Sequence, residues 1–189
     1  MTSPATVGGS ERLRLFLALE VPDDVSEALR RWSDLELHGE DLRRLEHHHV
    51  TLAFLGARPA RELDAVLGAL RGAAGAARSG PLEVIRYRET RSVSMLVLDD
   101  PTGRASALAD DVQTRLQALG VYRREARPWL PHVTVARFRE RPRLAPALPE
   151  IGPFAPSGAA AFLSRLHPSG ARYEVLESCS LSNDPRQEE

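Results

Sequence analysis

Two short stretches carry side chains suited to acid–base chemistry: His49-Val50-Thr51-Leu52-Ala53-Phe54-Leu55-Gly56 and Pro131-His132-Val133-Thr134-Val135-Ala136-Arg137. Each contains His-Val-Thr followed by an aliphatic residue and alanine, and the two histidines lie 83 positions apart. An imidazole titrates near neutrality, so one member of a pair can hold a proton while the other accepts one. A hydroxyl two residues on can bond an oxygen on which charge builds. The β-branched runs predict strands, with His49 and Thr51 on one face and Val50, Leu52 and Phe54 on the other. The second stretch puts His132 and Thr134 against Val133 and Val135 in the same way. Strict alternation makes Phe54 a core residue rather than a platform for a nucleobase. It also turns Arg137, which closes H-x-T-x-x-R, away from the imidazole unless the strand bends or bulges there. A lone strand histidine is usually structural; two, each with its threonine, predict paired proton transfer.

The other histidines add little. His47 shares a face with His49, and histidines two apart on a strand can bind metal. No Asp, Glu or Cys pattern completes such a site, so no metal and no cofactor are expected. His48 should point to the opposite face, and His38 and His167 sit in no motif.

The surrounding elements must hold the two strands facing each other. After a lead over residues 1–11, Arg12–Val21 reads as a central strand, half alternating and half continuously apolar. Pro22-Asp23-Asp24 opens a helix through Trp32, with Val25, Leu29 and Trp32 as its stripe. Asp34–Arg44 is polar and leads to the first histidine strand, which Gly56 should close. Pro59 opens a second helix carrying Leu63, Val66, Leu67 and Leu70. Leu82–Arg88 and Ser92–Leu98 form a hairpin. A third helix carries Leu108, Val112, Leu116 and Leu119, with Gly120 as its C-cap. Arg139–Ser157 holds five prolines and should be a long loop. Ala160–His167 and Ala171–Leu181 form a last hairpin around Pro168-Ser169-Gly170, and 183–189 is a polar tail. Residues 12–182 are thus expected to form one bilobal α+β domain whose two halves are related, with antiparallel or mixed sheets.

Composition excludes several classes. With 42% hydrophobic and 27% charged residues the chain is an ordinary globular protein, and a net charge of −1 argues against a general nucleic-acid coat. All 25 basic residues are arginine. Seven arginines against two glutamates between Tyr122 and Arg143 give a local balance of +5 that could attract phosphate. One cysteine permits no intrachain disulfide. No apolar run is long enough to span a membrane, and the polar, Gly-rich start does not read as a signal peptide, so a cytoplasmic setting and no membrane partner are expected.

The paired H-x-T motifs, with FLG after the first and PH before the second, resemble those of the 2H phosphoesterase superfamily. The chain is most similar within it to the RNA 2′,3′-cyclic phosphodiesterases, historically called 2′-5′ RNA ligases. The likeness extends to the Arg14-Leu15-Phe16-Leu17-Ala18-Leu19 strand before Pro22 and to Leu163-Ser164-Arg165-Leu166 with Gly170-Ala171-Arg172-Tyr173. It implies the bilobal 2H phosphoesterase fold around a central cleft and a monomer acting on RNA cyclic-phosphate ends. His49 would be the proton donor and His132 the acceptor, with Thr51, Thr134 and Arg137 on the phosphate side. From the residues alone the two histidine roles could be exchanged. Three rivals stay open: 2′-5′ ligation, a small cyclic nucleotide substrate, and a non-catalytic nucleotide- or RNA-binding module.

Overall fold

The computed structural model describes residues 11–167 and 170–182. The lead before Glu11, the turn residues Pro168 and Ser169, and the tail from Asn183 lie outside the described residues. Strand β1 (Arg12–Glu20) is apolar on both faces from Leu15 to Leu19, which suits it to the sheet interior. Leu17 and Leu19 enter the main core, while Phe16 and Ala18 join a smaller cluster with Ala160 and Phe162. Helix α1 (Asp23–Glu36) begins with two acids in its first turn, where the helix dipole favours negative charge. It runs a turn beyond Trp32. The polar stretch after it hides a short strand, β2 (Arg43–Arg44), that pairs with the second histidine strand.

The first histidine strand, β3 (His49–Pro59), continues past Gly56, which takes φ +68 inside an irregular strand instead of ending it. One 3-10 turn, Ala60–Glu62, then leads into α2 (Leu63–Ala76). The hairpin of β4 (Glu83–Glu89) and β5 (Val93–Asp99) follows, then α3 (Arg104–Ala118). Gly120, at φ +69, closes α3 while the Val121 N–H donates to the Leu116 carbonyl at 3.1 Å. After β6 (His132–Arg137), residues 138–157 contain only an isolated bridge at Phe154. A second hairpin, β7 (Gly158–His167) with β8 (Gly170–Ser180), completes the described chain.

Pairings between these strands are all antiparallel and make one eight-stranded sheet, in the order β4-β5-β6-β3-β1-β7-β8 with β2 on β6. The two lobes are the two halves of this sheet, and they meet at a single register pair, Val50 with Val133. Each half contains strand, helix and histidine strand in succession: β1-α1-β3 and β5-α3-β6. The hairpin after each histidine strand joins the other half, so α2 and residues 138–157 carry the chain across. The main core packs the helices against one face of the sheet, taking in Val50, Leu52, Val133 and Val135. No helix among the described residues is long and apolar enough to cross a membrane.

Candidate active site

The site lies on the other face, where the halves meet. The Val50–Val133 register sets His49 level with Thr134 and Thr51 level with His132, so each imidazole stands beside the other strand's hydroxyl. Both histidine strands then bulge at the same place. On β3, Leu17 pairs with Ala53 and Ala18 with Thr51, leaving Leu52 as the extra residue. On β6, Ser94 faces Ala136 and Met95 faces Thr134, leaving Val135 extra. A bulge shifts side-chain parity by one residue. Arg137 therefore returns to the face of His132 and Thr134 and lines the cleft, contrary to strict alternation. Phe54 does the same. It is 50% exposed in the cleft rather than a core residue, and the Arg14 guanidinium lies 4.8 Å from its ring centroid.

His49 sits in an aromatic box. Its ring is 4.9 Å from Phe16, 5.4 Å edge-on from Tyr173 and 5.9 Å from Phe162. Burial lowers its pKa to about 4, and the neighbouring groups His48, His132, Arg137 and His47 further disfavour a proton there. In the open cleft His49 is thus a neutral imidazole at pH 7. The Nδ1 of His132 lies 2.8 Å from the Leu130 carbonyl. A carbonyl can only accept, so Nδ1 carries the proton, and the neutral ring presents a bare Nε2.

A cavity of about 410 Å³ is lined by His49, Thr51, Thr134 and Arg137, and His132 is not among its described lining residues. Arg14 and Arg43 add two more guanidinium groups, and no Asp or Glu is among its described lining residues. Such a cavity selects an anion. Gly170 also lines it. A side chain there would collide with the Arg43 guanidinium, and its φ of +124 disfavours any L-residue.

Sequence reasoning missed Phe16, Tyr173, Arg14, Arg43 and His167 as cleft residues. Arg14, Phe16 and Tyr173 lie in stretches that carry the resemblance and His167 directly follows one, whereas Arg43 lies in the polar stretch Asp34–Arg44, which has no motif. His48 points away as expected. It is 7% exposed, its Nδ1 is 2.8 Å from Ser26 Oγ, and its buried Nε2 has no partner among the described residues. His38 contacts the Leu35 carbonyl, and His47 is exposed. The arginine-rich segment divides. Arg124 pairs with Asp110 at 2.8 Å and Arg127 with Glu125 at 2.6 Å, whereas Arg137 lines the cleft.

Fold and paired motif strands define a 2H phosphoesterase, a class of enzymes acting on phosphodiester bonds. The model of the 2′-5′ RNA ligase superfamily matches residues 21–166, and the chain belongs to that superfamily. Among solved structures, Escherichia coli LigT complexed with 3′-AMP superposes with a TM-score of 0.77 at 21% identity, over 91% of this chain and 99% of LigT. The protein TT0787 of Thermus thermophilus gives 0.73 at 27% identity, over 91% and 100% of the two chains. LigT complexed with NADP+ gives 0.75 at 25% identity, over 92% and 99%. No curated protein matches the sequence.

Proposed function

We propose that the protein hydrolyses RNA 2′,3′-cyclic phosphate ends to 2′-phosphomonoesters by a metal-independent, two-histidine mechanism. The observation that carries this reading is the cleft lined by three arginines, two threonines and His49, with no carboxylate among its described lining residues, beside a second imidazole with a bare Nε2. Among the described residues, no group of three or more His, Cys, Asp or Glu is placed to hold a metal ion.

His132 Nε2 takes a proton from water as its oxygen attacks phosphorus in line with the 3′ oxygen. The bond from phosphorus to the 3′ oxygen breaks, and His49 protonates the departing oxygen. Strain in the five-membered ring helps this step. Thr51, Thr134 and Arg137 hold the non-bridging oxygens as charge builds. His49 must be charged for this role although it is neutral in the open cleft. A phosphate anion between the strands offsets the charge of Arg137 and accepts a hydrogen bond from His49, which raises its pKa. Phe54, exposed on the same face, offers a stacking surface to the terminal base.

A second reading, a small cyclic nucleotide as substrate, draws support from the cavity volume, which suits one small ligand. LigT itself has been solved with 3′-AMP, ATP and NADP+. Ligation to a 2′-5′ bond would use the same groups in reverse.

The test is conversion of an RNA oligonucleotide ending in 2′,3′-cyclic phosphate, in EDTA, by wild type, His49→Ala and His132→Ala. A 2′-phosphate product is expected, with each variant slower by at least about 100-fold. An RNA bound but left intact would point to a binding module or a smaller substrate. Activity that returns only with added metal would overturn the mechanism.

A further inference from the structure

The halves of the sheet share one register pair, and the strand that carries His49 bulges one residue after Thr51. A bulge beside a nearly unpaired edge leaves carbonyls without strand partners, and buried carbonyls need donors. Two side chains supply them. Trp129 Nε1 donates to the Thr51 carbonyl at 2.9 Å, and Gln113 Nε2 donates to the Leu52 carbonyl at 2.9 Å. Gln113 comes from α3 and is 7% exposed, so its bond is shielded from water. Trp129 lies just ahead of the other histidine motif, three residues before His132.

Trp129 therefore does more than satisfy a carbonyl. The next residue, Leu130, supplies the carbonyl that receives the His132 Nδ1 proton. Pro131 is tied in turn, since its carbonyl accepts the Leu98 N–H at 2.9 Å. Segment 129–132 is fixed at one end to the backbone of the first histidine strand. Its other end is fixed to β5, and it sets the tautomer of the second histidine from between. Among the described residues, the Trp129 bond is the side-chain tie that spans this junction from one motif stretch to the other.

We propose that Trp129 is a positioning residue: it holds the two histidine strands in working register and keeps His132 with its proton on Nδ1. Gln113 supports the β3 bulge that presents Thr51 and Phe54. The proposal rests on the acid–base reading above, but it can be tested without turnover.

Ring-nitrogen NMR of the histidines reports the tautomer directly, in wild type and in Trp129→Phe, which keeps an aromatic ring and loses the donor. Neutral wild-type His132 should show a single Nδ1–H form, and Trp129→Phe a mixture. On a cyclic-phosphate RNA the variant should lose kcat by roughly tenfold or more with KM within about twofold, because misplacement by about an ångström is costly in the transition state. Gln113→Met should lower kcat and leave the His132 tautomer unchanged. A Trp129→Phe protein with lowered Tm but unaltered kcat and tautomer would overturn the proposal, leaving the bond purely structural. If Trp129→Phe does not fold, the wild-type spectrum still decides: His132 with its proton on Nε2 would overturn it. A tautomer that depends on Trp129 in a protein that opens no cyclic phosphate would sink the hydrolase reading and keep the latch.

Discussion

A histidine walled by Phe16, Phe162 and Tyr173 pays a desolvation penalty whenever it is charged. That penalty lowers the pKa of His49 to about 4 in the open cleft, where Arg137 and His132 also oppose its proton. Its role as donor then requires the substrate's own charge to bring the proton in. Binding of inorganic phosphate at pH 6 should therefore take up protons and convert the His49 ring to imidazolium. NMR of the ring nitrogens with and without phosphate would show this. A His49 that stays neutral with phosphate bound would exchange the roles, making it the acceptor. A pH–rate profile alone would not separate the two assignments, because either one gives the same pair of limbs.

The histidine strands position six groups, two of them through one repeated irregularity. Extra residues Leu52 and Val135 put Phe54 and Arg137 at equivalent places, one offering an aromatic face and the other a guanidinium. Phe54→Leu should raise KM for a nucleoside cyclic phosphate by roughly 5- to 100-fold, the range expected when base stacking is lost. Arg137→Ala should weaken inorganic phosphate as well, which Phe54→Leu should not. Equal losses of phosphate binding in both variants would contradict the division of labour. These bulges also mark how far the sequence can be read. His49, Thr51, His132 and Thr134 were legible because period-two alternation holds from the histidine to the threonine. It fails one residue later, so Phe54 was misassigned to the core, and Arg137 could be put on the phosphate side only through the resemblance or by allowing a bulge. Nothing local announces the failure: both bulge residues are aliphatic and remain buried on the core side. The aromatic box was illegible for another reason. Phe16, Phe162 and Tyr173 meet His49 only because β1, β7 and β8 lie in that order beyond β3.

At the scale of the whole molecule, the crossing between halves is secured by ionisable groups that make the fold acid-sensitive. Residues 138–157 are pinned by Glu89, whose side chain is 2% exposed. It accepts from the Leu144 N–H at 2.8 Å, the Arg143 N–H at 3.0 Å, Arg141 at 2.9 Å and the Tyr87 hydroxyl at 3.0 Å. Burial alone would raise its pKa; these donors outweigh it and hold the carboxyl below its usual value. His48, between α1 and β3, is lowered to about 4, by burial first and then by the charges of Arg30 and His47. For a histidine with a lowered folded pKa, the unfolded chain binds a proton that the folded chain refuses. Unfolding free energy therefore falls as pH drops from 6.5 towards 4, by on the order of 3 kcal/mol for a buried group such as His48. Glu89 acts lower down. Its contribution is present above its unfolded pKa of 4.5 and is lost as pH falls through its lower folded value. Denaturant unfolding at pH 7.5, 6.5, 5.5 and 4.5 should show stability falling throughout the histidine window. His48→Gln should flatten that fall by close to one proton, while Glu89→Gln should lower stability at every one of these pH values and keep the histidine slope. An unchanged slope in His48→Gln would mean that His48 is charged in the folded protein, and its buried Nε2, partnerless among the described residues, would then need a solvent path that the packing of α1 on β3 does not offer.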